Sequence, residues 1–350
     1  SKNYPSQHYE IAKVNYELGN YYFNRQMMVE TKPYMEKLLD VTINHLPEFD
    51  YYRALYLERI GSYYADIGDI ERSALCLENA LYLYEVIQKD MYNSIKTRLN
   101  LGNTYFYNNE SLKALTHYKR VLDDAQKFNL ASYSRSLLSY QNASFMLYNI
   151  GQLDSCIYLS EKALKLNKNK TTIDKLSSSY LKMNLGRAKY KRYPNENVTS
   201  LFDQSLREVT KVAGEKSYRN HVVARTIGEA YFDHNELDSA LVYYQKGLIA
   251  LYDSFNTKDI YANPHFESYQ NMEPVLYIIF DKAKALHQRF LKNNIESDLK
   301  ASLHLYEKAY EIMRGLINDG FMDESMITLF QKFKPGFQTS VACAINAYEE

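Results

Sequence analysis

Three cysteines and eight histidines are the residues of this chain that could supply a nucleophile or transition-metal ligands. The histidines are scattered, and none pairs with another ligand-type residue in a recognisable metal motif. Cys343 with a histidine is the one conceivable nucleophile pair, but it lies among alanines on a predicted helix, where a buried core thiol is the simpler interpretation. There is no HExxH, GxSxG, P-loop or GxGxxG motif. We therefore predict no catalytic residue, no metal site and no cofactor in this chain.

A column of asparagines has the spacing and chemistry to bind a peptide backbone. Asn100, Asn142 and Asn184 follow one another at intervals of 42 residues. Asparagine is a mediocre helix former, so its recurrence on predicted helices needs a reason. Its amide both donates and accepts hydrogen bonds and could pair with an extended peptide without reading its sequence. Alternatively, these amides bridge neighbouring hairpins or hydrate a groove, and the sequence leaves both interpretations open.

Other side chains near this column complete a candidate peptide-binding groove. They are amides, aromatic rings and arginines on the same set of predicted helices: Asn103, Phe106, Phe145, Tyr148, Arg187 and Arg225. The arginines could hold a carboxylate. Nearby acidic residues, such as Glu58 and Glu229, argue against a groove of a single charge sign.

Composition excludes some classes of partner. Lys and Arg together number 42 and so do Asp and Glu, which makes the net charge zero. Because nucleic-acid binding relies on many cationic contacts with phosphate, we expect no nucleic-acid partner. No apolar run approaches the roughly 18 residues of a membrane-spanning helix, so we expect no membrane segment in this fragment. Only 12 glycines and 7 prolines in 350 residues favour a mostly helical chain.

Small residues at nearly constant spacing predict a repeat of helical hairpins. Neither helix of such a hairpin can bury its apolar stripe alone, so the hairpins stack on one another. A small residue on the first helix lets the backbone of the second approach closely. Columns that lie 12, 16 and 19 residues further on are mostly small, bulky and small, in that order. The small residues that define the period are separated by 41 or 42 positions: Gly19, Gly61, Gly102, Ser144, Gly186 and Gly228.

This pattern resembles the tetratricopeptide repeat signature, with a period of about 42 residues instead of the usual 34 or so. The resemblance implies an all-α fold, a right-handed α-α superhelix of hairpins with a concave groove. We expect six hairpins over residues 1–252, a linker loop over 253–272, and a seventh hairpin with a C-terminal capping helix over 273–350. Gly68 and Gly151 mark hairpin turns. We predict Ser111, Asp154 and Asp238 as caps of second helices.

The C-terminal third carries a more specific resemblance. Asn263-Pro264, the run Asp-Lys-Ala-Lys-Ala-Leu at 281–286, the stretch from Asp298 to Ala309 and the sequence Asp-Glu-Ser at 323–325 resemble the segment that joins tetratricopeptide repeats to a caspase-like CHAT domain in bacterial proteins. Because the chain starts at Ser1 and stops within an apparent helix, we expect a fragment of such a protein, from a bacterial cytoplasm or periplasm. No motif here matches the His–Cys dyad of a CHAT peptidase.

Three functions remain open at the level of sequence. The first is a scaffold that binds a protein or peptide partner, for example the parent's own C-terminal domain. The second is a region that gates an attached CHAT peptidase. The third is the sensor region of a bacterial transcription regulator or kinase, since similar repeats precede such domains.

Overall fold

The computed structural model describes residues 6–25, 27–48, 50–130, 133–168, 171–266, 272–318 and 324–349. All regular secondary structure in this part of the chain is helical, which confirms the all-α prediction. The chain divides into two compact units, unit 1 over residues 1–168 and unit 2 over residues 169–350.

Unit 1 is a stack of four hairpins, each formed by a first helix and an antiparallel second helix. The π-helical turn Leu83–Gln88 extends the second helix of hairpin two and ends at Lys89, whose φ of 55° is left-handed. The pairs are α1 (Ser6–Phe23) with α2 (Met28–Asn44), α3 (Tyr51–Asp66) with α4 (Ile70–Tyr82), α5 (Met91–Tyr107) with α6 (Ser111–Lys127), and α7 (Ser134–Asn149) with α8 (Leu153–Leu166).

Unit 2 contains three more hairpins and a final helix. A long irregular segment separates its second and third hairpins, and the last helix packs against both helices of the third. The pairs are α9 (Thr172–Arg192) with α10 (Thr199–Ala213), α11 (Tyr218–Asp233) with α12 (Leu237–Leu251), and α13 (Met272–Asn293) with α14 (Glu296–Asn318), followed by α15 (Glu324–Glu349).

The small-residue column is where the two helices of a hairpin touch. A Cβ atom added to Gly102 would lie 2.6 Å from Cε1 of the Tyr118 ring, and that ring is fully buried. In the α7–α8 hairpin, Ser144 replaces the glycine and the opposing residue is the equally buried Ser160. Where the first helix carries serine instead of glycine, the residue opposite it on the second helix is therefore small as well. The other glycines of the column contact the residue 16 positions on in the same way: Gly19 with Met35, Gly61 with Leu77, Gly186 with Phe202 and Gly228 with Tyr244.

In five hairpins the turn contains one residue in the left-handed conformation. These residues are Gly68, Asn109, Gly151, Asn235 and Asn294, with φ between 53° and 80°. In the third hairpin, the N–H of Glu110 donates to the carbonyl of Tyr105 at 2.9 Å, which is the long hydrogen bond of a Schellman motif. Glycine and asparagine tolerate this conformation better than other residues.

The predicted second-helix caps are wrong. Ser111, Asp154 and Asp238 lie inside the first turn of α6, α8 and α12, not at the cap position. The left-handed residue is followed directly by the cap residue, so the cap falls one or two positions earlier than predicted. The true cap residues make no side-chain capping bond: Glu110, Gln152 and Glu236.

The irregular segment between α12 and α13 is held in place by buried cations. Lys282 is fully buried and donates to Oε1 of Gln245 at 2.7 Å, to the carbonyl of Ala262 at 3.0 Å and to Oδ1 of Asn263 at 2.8 Å. All three protons of its ammonium group therefore have an acceptor. Because none of the carboxylates that the structure describes contacts it, burial lowers the pKa of Lys282 to about 7.

Two further cations anchor the ends of this segment. Lys216 donates to the carbonyls of Ile249, Tyr252 and Phe255 at 2.7 to 2.8 Å, which satisfies the C-terminal end of α12. Near the other end, Arg289 donates to the Tyr261 hydroxyl at 3.1 Å. The segment over residues 252–266 is therefore an ordered part of unit 2.

His221 makes the stability of unit 2 sensitive to acid. It is buried, and its Nδ1 lies 3.1 Å from the carbonyl of Gly247. Burial lowers the pKa of His221 to about 4, whereas an unfolded histidine titrates near 6.5. Between these values the unfolded chain binds more protons, so the stability that neutral His221 provides above pH 6.5 is lost as the pH falls.

We expect His221→Gln to reduce the loss of unfolding free energy between pH 7 and pH 5 by about 2 kcal/mol. The glutamine amide can still donate to Gly247. Urea denaturation at the two pH values measures the effect, and His304→Gln, at an exposed histidine of unit 2, is the control. Burial raises the pKa of Asp281 to about 6, so its protonation stabilises the folded chain as the pH falls. Because this contribution is present in every variant, the test compares the pH dependence of unfolding free energy between variants. Equal pH dependence in His221→Gln and the native chain would contradict this assignment.

Candidate functional site

A row of side-chain contacts links consecutive first helices in unit 1. We call this surface the first-helix row. Tyrosine rings meet between α1 and α3, a glutamate gathers polar groups between α3 and α5, and amides and phenylalanines meet between α5 and α7. The contacts are Tyr16 with Tyr56, Glu58 with Lys96 and Asn100, Asn103 with Asn142, and Phe106 with Phe145.

Glu58 binds Asn100, the first residue of the asparagine column. Its side chain is nearly buried, and it accepts from Nζ of Lys96 at 2.7 Å and from Nδ2 of Asn100 at 3.3 Å. The hydroxyl of Tyr84 lies 3.5 Å from its other oxygen. Asn100 therefore bridges two neighbouring hairpins, which is what the alternative interpretation of the asparagine column describes. Its contact with a peptide stays a prediction.

A small cavity opens between α5 and α7, at Asn103 and Asn142. Oδ1 of Asn103 accepts from the hydroxyl of Tyr118 at 2.8 Å and from Nδ2 of Asn142 at 3.0 Å. The rings of Phe106 and Phe145 form the apolar wall, with centroids 5.8 Å apart. The cavity has a volume of about 120 Å³, enough for several water molecules or one side chain of intermediate size.

The amino group of Asn103 is the half of this amide available to a ligand. Its two donors, Tyr118 and Asn142, both approach Oδ1, so the amide nitrogen faces away from them. Among the described residues the nitrogen donates no hydrogen bond, and Asn103 is partly exposed. An N–H donor beside an apolar cavity can bind a main-chain carbonyl while a neighbouring side chain enters the cavity.

Charged side chains contact one another on the first helices of unit 2. Arg225 donates to Oδ2 of Asp281 at 2.6 Å and pairs with Oε1 of Glu229 at 2.7 Å. Its guanidinium also lies 4.6 Å from the centre of the Tyr277 ring. Arg187 is 3.9 Å from Oε2 of Glu229. Both predicted ligand-binding arginines thus have carboxylates of the chain itself beside them.

The predicted site residues fall into two groups, one in each unit. Asn100, Asn103, Asn142 and Tyr148 belong to unit 1, while Asn184, Arg187 and Arg225 belong to unit 2. The structure brings Asn103 and Asn142 into direct contact and places both arginines at Glu229. Asn184 is only 1 % exposed and Tyr148 only 7 %, so little of either side chain is accessible.

Sequence reasoning missed the carboxylates that hold these amides and arginines. From the sequence, Glu58 indicated only that the groove has mixed charge, and Asp281 was only part of the C-terminal resemblance. One signal could have found Glu58, because it lies one period of 42 residues before Asn100, on the preceding first helix. No such spacing identifies Asp281, which lies 56 residues after Arg225 across the irregular segment.

Groups suited to chemistry are sparse in the described part of the chain. No cluster of three or more His, Cys, Asp or Glu residues there could hold a metal ion. Cys343 is buried, lies 3.5 Å from the Ser302 hydroxyl and has a thiol pKa raised by burial, which disfavours the nucleophilic thiolate. None of the helices over the same residues combines the length and apolar character needed to cross a membrane.

Comparison with known proteins shows similarity of fold. No family model and no curated protein matches the sequence. The apo form of RapI is 12 % identical with a TM-score of 0.58, over 88 % of this chain and 99 % of that one. A signal transduction ATPase with a tetratricopeptide repeat sensor, from Pyrococcus horikoshii, is 14 % identical with a TM-score of 0.59, over 88 % of this chain and 43 % of that one. A tetratricopeptide repeat protein from Parabacteroides merdae is 12 % identical with a TM-score of 0.52, over 93 % and 98 %. The chain therefore has the fold of a tetratricopeptide repeat region.

Proposed function

We propose that this chain is a protein-interaction scaffold that binds an extended segment of a partner protein along the first-helix row of unit 1. The observation that carries the proposal is the cavity between α5 and α7, where a free amide donor lies beside two phenylalanine rings. In an extended peptide, alternate side chains point to opposite sides. One side chain can therefore fill the cavity while a carbonyl of the peptide accepts from Asn103.

Asn100 and Asn142 have a supporting role in this proposal. Their bonds to Glu58 and Asn103 fix the spacing of consecutive first helices and leave the amino group of Asn103 as the peptide contact. The charged residues Arg187 and Arg225 of unit 2 are proposed as a separate contact region for polar groups of the partner. Both would have to exchange part of their pairing with Glu229 for pairing with the ligand.

The test uses peptides selected for binding to this chain from a phage-displayed library of random 12-residue sequences. We expect Asn103→Asp to weaken binding about tenfold, or about 1.4 kcal/mol, because it keeps the acceptor for Tyr118 and removes the donor. Phe106→Ala should weaken binding at least as much. Fluorescence anisotropy with labelled peptides measures both.

Asn79→Asp is the matched control, since this exposed amide on α4 bonds only to Leu75 of its own helix. It makes the same change of charge in the same unit and should leave binding within twofold. Selected peptides that bind Asn103→Asp and Phe106→Ala as tightly as the native chain would contradict the proposed site. A library that yields no binder would contradict the scaffold function.

We further propose that the repeats regulate an attached CHAT peptidase domain, with that domain as a partner. The observation that favours this function is the contact between two parts of the C-terminal resemblance, where Lys282 of the 281–286 run donates to Asn263 of the Asn-Pro pair. The sequence of the parent protein after residue 350 tests it. A domain with a His–Cys dyad supports regulation of a peptidase, whereas a helix-turn-helix or kinase domain supports the sensor alternative.

A further inference from the structure

Segment 252–266 shows how this fold holds a non-helical stretch of chain on its second-helix side. The segment contacts the second helix α12, the following first helix α13 and the second helix α14. Gln245 of α12 donates to the carbonyls of Thr257 and Ala262 at 2.9 and 3.2 Å. Lys282 of α13 donates to Ala262 as well, and the Tyr261 hydroxyl donates to Asp298 of α14 at 2.8 Å.

Apolar side chains of the segment complete its attachment. Phe266 is buried against the core of unit 2, and its ring centroid lies 6.4 Å from that of Tyr252. Phe255 and Ile260 pack against the same core. The mode of binding therefore combines long polar side chains that donate to main-chain carbonyls with apolar anchors that enter the space between helices.

The corresponding three helices of unit 1 enclose an open cleft. It lies between the second helices α6 and α8, above the first helix α7, and has a volume of about 520 Å³. Tyr140 and Leu147 of α7 line it, together with Leu122 of α6 and Leu159 of α8. Tyr158 lines it too and is 62 % exposed. The cleft is thus apolar inside and has an aromatic ring presented to solvent.

Polar groups suited to main-chain binding line the same cleft. Lys119 and Gln126 of α6 and Lys162 of α8 can donate to carbonyls, as Gln245 and Lys282 do in unit 2. Asp123 can accept from backbone N–H groups. The lining holds two lysines and two aspartates, so the cleft selects no strongly charged ligand.

We propose that the cleft between α6 and α8 is a second binding site, which takes a non-helical segment of a partner polypeptide with an aromatic or aliphatic anchor residue. Unit 2 fills the equivalent place with its own chain, whereas unit 1 leaves it open to another. The site lies between the second helices above α7, and it shares no residue with the first-helix row.

Subtractive selection tests this site directly. The random 12-residue phage library is first depleted on Ser155→Trp and then selected on the native chain. Ser155 is an exposed residue of the cleft wall, so the indole blocks the cleft without entering the core. Far-ultraviolet circular dichroism and urea unfolding must match the native chain. Ser200→Trp, at an exposed serine in the first turn of the second helix α10, is the matched control.

The expected result is a set of peptides with a shared aromatic or aliphatic position. Their affinity should fall at least tenfold with Ser155→Trp and change less than twofold with Ser200→Trp and with Asn103→Asp. Carbon-13 chemical shifts of a labelled peptide should show a non-helical backbone when bound. Failure to enrich any peptide, equal affinity for Ser155→Trp, or a helical bound peptide would overturn the proposal. Loss of binding with Asn103→Asp alone would assign the peptides to the first-helix row and would overturn it as well.

Discussion

Gly102→Leu is expected to lower the free energy of unfolding by roughly 3 kcal/mol or more. The new Cβ atom would meet the Tyr118 ring at 2.6 Å, and three further carbons would have to fit where the ring now lies. The ring cannot turn away easily, since it is fully buried and its hydroxyl donates to Asn103. Leucine is the better helix former by about 0.8 kcal/mol, which offsets only part of the loss. Chemical denaturation followed by circular dichroism measures the change.

Gly315→Leu is the control for this substitution. Gly315 also lies within a helix, but a Cβ atom added there meets nothing within 4 Å. The change should be neutral or stabilise by up to about 1 kcal/mol, because it removes only the backbone entropy cost of glycine. A similar loss in both variants would show that the close approach of α5 and α6 does not determine the effect.

Arg289→Met is expected to lower the free energy of unfolding by about 3–5 kcal/mol. Arg289 donates to both oxygens of Asp298, at 2.7 and 2.8 Å, and Asp298 has no exposed surface. The variant therefore leaves a buried carboxylate without its cation. It also removes the bond from Arg289 to Tyr261, so segment 252–266 should become more sensitive to proteolysis. Urea denaturation and limited digestion with mass spectrometry measure the two effects.

Two comparisons make the Arg289 prediction specific. Lys292→Met changes an exposed cation three residues away and should alter stability by no more than about 0.5 kcal/mol. Arg289→Lys keeps the charge but loses the bidentate hydrogen bonds to Asp298, so its loss of unfolding free energy should be intermediate. If Arg289→Met proves as stable as the native chain, Asp298 does not need this cation and the other contacts of segment 252–266 are sufficient to hold it.

Periodicity in the sequence was sufficient to predict the hairpins. Small residues recur at a fixed interval, as from Gly61 to Gly102, and each one marks a helix pair. The position must be small because the side chain 16 residues further on packs against it. The turn residues could also be predicted from the sequence, because Gly68 and Asn109 have the left-handed conformation that their residue types favour. The caps of α6, α8 and α12 were not predicted correctly, because the cap position directly follows the left-handed turn residue and carries Glu or Gln there, without a side-chain capping bond.

The sequence by itself determined that this protein consists of helical hairpins and that three consecutive first helices carry asparagine at the same position of the repeat. Local propensity and a fixed period suffice for that, because every repeat obeys the same packing rule. Only the tertiary structure decided that Asn100 bonds to Glu58, that Asn103 accepts from Asn142 and that Arg225 binds Asp281. These pairs join residues 39 to 56 positions apart on different helices. Which of several polar neighbours forms the bond depends on how the hairpins stack, and the spacing of residue types along one chain does not contain that information.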